Sequence, residues 1–224
     1  MYRVINEDLN EQVYRRIREM IVQRELKPDQ KLLQEELASQ LGVSRTPLLS
    51  AFAKLEREML VKSVPRRGYF VRSITLKELL DIYNIRLRLE TLGASEAAKK
   101  CTHTVLEALQ KKTDEMISLD AEKLKSMFPE YDYEFHTQIM KMSGNEFLVN
   151  MVGSFNLVTL GNIMGMYRDP RGSLFEHKSI IGAISSQDCE LAESAMFSHI
   201  SVAKSRIEQY AKDRSYEAEE RQSP

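Results

Sequence analysis

Between Asn10 and Arg24 the apolar residues Val13, Tyr14, Ile17, Met20 and Ile21 recur at spacings of three and four, which predicts an amphipathic helix. The stretch "LKPDQKL" ends it, because Pro28 cannot continue the ladder and disfavours helix at Lys27. A second short helix follows over residues 33–42, with Leu33, Leu37 and Leu41 inward and Gly42 placed to stop it in a left-handed conformation. Ser44 then caps a third helix, in which Pro47 lies near the first turn and Leu48, Phe52 and Leu55 supply the inward face. Two β-prone runs around Pro65-Arg66-Arg67-Gly68 predict a hairpin. Beyond residue 74 every long segment has a helical period. Thr75 and Glu78 form a capping box that opens a helix to about Lys100, and further helices are expected near 104–118, 121–127, 130–142, 146–166, 172–185 and 188–212. Ser143-Gly144-Asn145 and Asp169-Pro170-Arg171-Gly172 punctuate them.

The expected fold is therefore mostly α. Residues 1–73 read as a winged helix-turn-helix, residues 74–213 as an all-α helical bundle, and residues 214–224 as a charged, disordered tail. Net charge divides along the same line: residues 1–73 carry 14 Lys+Arg against 10 Asp+Glu, and the rest 18 against 23, so a modestly basic head sits on an acidic body. No apolar run is long enough for a membrane span and no export signal opens the chain, so a cytoplasmic protein is expected. Cys101 and Cys189 form no CxxC and are assigned no function.

The basic head gives the first candidate chemistry. A helix-turn-helix presents the N-terminal residues of its second helix to the major groove of double-stranded DNA, here Ser44, Arg45 and Thr46. Arg45 suits base reading, since a guanidinium donates two parallel hydrogen bonds to guanine O6 and N7; the two hydroxyls suit phosphate oxygens. Arg66 and Arg67 at the hairpin tip are placed for the neighbouring backbone or minor groove, with Gly68 permitting the turn.

Three of the chain's four histidines, His136, His177 and His199, lie in the body at positions where the helical period points inward. Asp132 and His136 share a helix face at i and i+4, so a carboxylate oxygen and an imidazole nitrogen can converge on one ion. Three imidazoles and one carboxylate suit a divalent metal such as Zn, Ni, Mn or Fe(II), and leave coordination positions open to a small organic acid. Arg86 could fork onto a second carboxylate of that acid; the alternative is a surface ion pair with Glu90, one turn on.

The stretch "LKPDQKLLQEELASQLGVSRTPLLSAFAKLEREMLVKSVPRRGYFV" resembles the DNA-binding head of the GntR family of bacterial transcription regulators. "IRLRLETLGASEAA", "DYEFHTQIMKMSGNEFL", "SLFEHKSIIGAI" and "DCELAESAMFSHI" are similar to the helical FCD ligand domain of one branch of that family. The resemblance implies that Asp132, His136, His177 and His199 bind a divalent metal and that Arg86 contacts the ligand. The head departs from the family pattern: Leu49 and Ser50 stand where Arg and Glu are usual, Glu35-Glu36 stands where an arginine is common, and Met59 replaces a turn glycine. Each missing arginine contact to a base removes ~1–3 kcal/mol of discrimination.

The expectation is a DNA-binding regulator, repressor in sign, that acts as a homodimer on a palindromic operator and answers to a small organic acid effector bound at the metal. Two other readings remain open at this level: a metal-dependent hydrolase or lyase fused to a DNA-binding head, and a structural dimeriser whose metal serves folding.

Overall fold

The computed structural model describes residues 9–101, 103–154 and 170–220. Its elements run α1 (Leu9–Val22), β1 (Lys31–Leu32), α2 (Gln34–Leu41), α3 (Arg45–Arg57), β2 (Val61–Val64), β3 (Gly68–Val71), α4 (Leu76–Lys100), α5 (His103–Ser118), α6 (Ala121–Met142), α7 (Glu146–Ser154), α8 (Pro170–Ser185) and α9 (Cys189–Glu220). Two compact units separate after Ser73.

In the first unit, α1 and α2 both pack on α3. Ile17, Ile21, Leu48, Phe52 and Leu55 are all buried, so the predicted apolar stripes meet in one core. Leu33 differs from expectation and is 42% exposed, because α2 starts at Gln34 and leaves it as the extended N-cap residue. The turn into α3 is a Schellman motif: Gly42 has φ +65°, its N–H reaches the Ser39 carbonyl, and the Val43 N–H reaches that of Ala38. The hairpin gains a third strand that the sequence did not announce, since β1 is only two residues long; the antiparallel order is β1-β3-β2. Phe52 and Tyr69 rings, 4.9 Å apart, tie α3 to this sheet.

The end of α3 repeats the Schellman pattern with a residue ill suited to it. The Leu60 N–H bonds to Leu55 O and the Met59 N–H to Glu56 O, which puts Met59 in the left-handed position at φ +60°. An L side chain there costs roughly 1–2 kcal/mol, part of which glycine returns through its larger unfolded-state entropy. Met59→Gly is therefore expected to stabilise the head by about 0.5–1 kcal/mol, read as a higher thermal midpoint; an unchanged or lower midpoint would rule out strain as the cost of this methionine.

The second unit is a helical bundle. α4 packs along α9 and also against α6 and α8, while α5 covers α6 and α8. The capping box at the start of α4 is formed: Thr75 Oγ1 accepts from the Glu78 N–H at 3.2 Å, and Glu78 Oε2 accepts from the Thr75 N–H at 2.9 Å. Toward its other end, Gly93, Ala94, Ala97 and Ala98 bring the neighbours in close, and a Cβ on Gly93 would collide with the Met140 side chain of α6.

Three boundaries differ from the sequence expectation. Residues 121–127 and 130–142 are one helix, α6, with Pro129 inside it. Its buried side, Leu124, Phe128, Tyr131, Phe135 and Ile139, stays in phase across the proline, and packing outweighs the lost backbone bond. α8 begins at Pro170 rather than 172, consistent with proline's fit to the first helical position. α9 runs to Glu220, so the segment expected to be a disordered tail is helical over residues 214–220; it holds good helix formers such as Arg214, Glu217, Ala218 and Glu219, with no glycine or proline before Pro224. The part of the expected 146–166 helix beyond Ser154 lies outside the described residues.

Candidate metal centre and nucleic-acid interface

Asp132 and His136 project from α6, His177 from α8 and His199 from α9, and all four are buried. Each offers one ligand atom, and these atoms lie within 4.8 Å of one another. His136 Nε2 is 3.7 Å from Asp132 Oδ1, His177 Nε2 is 3.5 Å from the same oxygen, and His199 Nε2 is 3.2 Å from His136 Nε2.

The outer nitrogen of each ring faces its own partner. His136 Nδ1 lies 2.5 Å from Glu90 Oε2 of α4, off the line of an ideal hydrogen bond; His177 Nδ1 is 3.2 Å from the Tyr131 hydroxyl; His199 Nδ1 is 2.9 Å from Glu176 Oε2. Partners of this kind fix a ligand's tautomer and ring orientation. Donor counting does so for His177. The one Thr113 hydroxyl proton goes to the Leu109 carbonyl at 2.7 Å, so Thr113 accepts from Tyr131 at 2.8 Å, and Tyr131 in turn accepts from His177 Nδ1–H. The Nε2 lone pair is left facing Asp132, buried and without a hydrogen-bond partner.

The carboxylates of Glu176 and Glu90 favour a proton on the facing Nδ1 of His199 and His136, a tautomer that turns the Nε2 lone pairs of both rings inward, where the two nitrogens lie 3.2 Å apart. Lone pairs and a carboxylate oxygen aimed at one buried point repel unless a cation lies between them, so the donor set fits a divalent metal. Burial, and then the neighbouring imidazoles His199 and His136, push the His177 pKa well below the usual 6.5. Burial also lowers that of His199, against the opposing pull of Glu176. The two rings are thus favoured in the neutral form a metal needs.

Glu90 links this cluster to Arg86. Its Oε1 accepts from Arg86 Nε at 2.5 Å, with both side chains almost fully buried. The ion pair envisaged on the surface therefore exists but lies in the interior. Burial raises the Glu90 pKa, yet Arg86 and His136 outweigh it and hold the carboxyl well below the usual range. Burial likewise opposes charge on Arg86, and Glu90 and Tyr83 overcome it, so the guanidinium stays charged. Glu90, Tyr131, Thr113 and Glu176 are site residues that the sequence reading did not assign; a buried period on α4 that includes a glutamate was the available signal for Glu90.

In the first unit, Ser44, Arg45 and Thr46 are exposed at the start of α3. Ser44 holds the N-cap backbone position, but its hydroxyl makes no capping hydrogen bond. Arg45 Nη2 donates to Gln34 Oε1 at 2.9 Å, so the preceding helix steadies the guanidinium. Arg66 and Arg67 are exposed in the β2–β3 turn, where the Arg67 N–H bonds to Val64 O. This is a type II arrangement with Pro65 second and Arg66, at φ +62°, in the place glycine favours; Gly68 follows at φ +92°. An arginine kept in a strained turn puts charge at the tip.

Two family profiles cover the two units: "Bacterial regulatory proteins, gntR family" over residues 9–71, and "FCD domain" over residues 81–202. The chain belongs to the GntR family. It is 28% identical over 194 residues to the HTH-type transcriptional regulator YdhC of Bacillus subtilis, covering 84% of this chain and 86% of the relative. It is 26% identical over 212 residues to the HTH-type transcriptional repressor RspR of Escherichia coli, covering 92% of each. Among solved structures, E. coli McbR/YncC has the same fold, with a TM-score of 0.77 at 20% identity over 92% of this chain and all of the other. This GntR-family chain is thus a bacterial transcription regulator, and its relatives are regulators rather than enzymes, which sets aside the hydrolase or lyase reading. No helix among the described residues is long and apolar enough to cross a membrane.

Proposed function

We propose that this regulator is a repressor that acts as a homodimer on a palindromic operator and is controlled by a small carboxylate bound at a metal in its helical body. The observation that carries this reading is the convergence of Asp132, His136, His177 and His199 in one buried cluster, with the Nε2 of His177 left without a hydrogen-bond partner there, in a chain whose other unit is a DNA-reading head. Those four residues would hold a divalent ion such as Zn, Ni or Mn, whose open positions accept a carboxylate oxygen. Arg86, kept charged inside the same helical body, serves a second carboxylate of the effector. In the head, Arg45 reads a base edge, Ser44 and Thr46 meet phosphates, and Arg66, Arg67 and Gly68 form the wing contact. One head covers one half-site, so a pair of heads related by two-fold symmetry reads the full operator. The acid shifts the pair between arrangements by its differential affinity for them.

The test is a mobility-shift titration on the region upstream of its own gene, using protein of verified metal content and a panel of hydroxy, sugar, dicarboxylic and amino acids. One class of acid is expected to weaken DNA binding about 5- to 150-fold. Indifference to every acid, with metal bound and DNA bound, would count against the sensor. Loss of response on chelation with the fold intact supports sensing; loss of the fold alone supports a structural metal.

A further inference from the structure

The exposed face of α3 carries one residue that neither phosphate nor guanine recognition accounts for. Pro47, Leu48, Ala51, Phe52 and Leu55 are buried, while Leu49 remains 39% exposed. At about 100° per residue, Leu49 projects between Arg45 and Thr46, one turn further along the helix. Thr46 and Ser50 beside it are exposed and polar, and Ala53 continues the line below. A lone exposed leucine is ordinary on a protein surface, but this one occupies the middle of the face that the reading above turns toward the major groove.

The major groove offers one apolar feature, the 5-methyl group of thymine. A leucine cannot satisfy a base donor or acceptor, so placing it against G, C or A edges strips water from polar groups without return. Against thymine it buries methyl on methyl. Leu49 lies about 6 Å along the helix axis from Arg45, so its base is roughly one or two steps from the one Arg45 reads.

We infer that Leu49 is a specificity-determining residue that reads a thymine methyl group in each half-site. This rests on the reading of α3 as the DNA-contacting helix. The half-site then combines a base read by hydrogen bonds from Arg45 with a neighbouring thymine read by apolar contact. Gln34, bonded to Arg45, steadies the first of these.

The test starts from duplexes selected out of a randomised pool by the full-length protein. Each thymine of the selected half-site is then replaced by deoxyuridine, which removes only the methyl group, and affinity is measured by fluorescence anisotropy for the wild type and for Leu49→Ala. One thymine per half-site is expected to be sensitive, with about fourfold weaker wild-type binding for each methyl lost. Leu49→Ala should be indifferent at that thymine while still depending on the base read by Arg45. Leu49→Arg should move the preference there from thymine toward guanine. Deoxyuridine effects that are absent, or equal in wild type and Leu49→Ala, would overturn the assignment of Leu49 even if Arg45→Ala abolishes selection. A wild-type protein that selects no sequence would overturn both this inference and the DNA reading beneath it.

Discussion

Glu90→Ala is expected to destabilise the helical body by about 3–5 kcal/mol, the cost of removing one partner of a buried pair and stranding the other charge. Arg86 would lose the carboxylate that makes its charge tolerable in the interior, and His136 Nδ1 would lose the group it faces at 2.5 Å. Water has little access to take the carboxylate's place, since Glu90 is 0% exposed and Arg86 is 3% exposed. Urea unfolding of the body, followed by circular dichroism, measures the effect. The double variant Arg86→Met/Glu90→Leu provides the control, because an apolar pair of similar volume removes both charges and is expected to recover much of the loss. A change below about 1 kcal/mol for Glu90→Ala, a value typical of exposed pairs, would mean that the pair is solvated in solution.

The second large effect concerns metal affinity. Asp132→Ala or His177→Ala removes a ligand outright, so each is expected to weaken divalent-ion binding by more than the ~10–100-fold that loss of an outer partner costs. Glu176→Ala, which releases His199 Nδ1, should fall within that smaller range. Isothermal titration of metal-stripped protein with Zn(II) and Mn(II) separates the two classes. Because bound metal stabilises only the folded chain, the thermal midpoint of the wild type should rise with ion concentration and that of the ligand variants should not. Equal affinities across Asp132→Ala, Glu176→Ala and the wild type would dismiss this cluster as the metal site.

The local parts of this architecture were legible in the chain. The capping box at Thr75 and Glu78, the left-handed stop at Gly42 and the hairpin turn around Pro65 to Gly68 all follow from interactions spanning a few residues. The i, i+4 placement of Asp132 and His136 is likewise a property of one helix, and the inward period of α8 and α9 marked His177 and His199 as buried. The proline in α6 misled the reading because a local rule about the N–H donor was weighed without the apolar stripe that continues in phase on both sides of it. β1, at two residues, is too short to carry a period and exists because β3 offers it an edge.

By itself, then, the sequence determined the helices, their buried faces, the basic head and the residue types able to hold an ion, because these depend on backbone propensity and on periods of two or 3.6 residues. Tertiary structure alone decided which partner each imidazole meets. Tyr131 reaches His177 across 46 positions, Glu176 reaches His199 across 23, and Glu90 sits against His136 from a different helix. Such pairings are set by how helices cross when their apolar faces are buried together, and no one-dimensional spacing encodes that crossing.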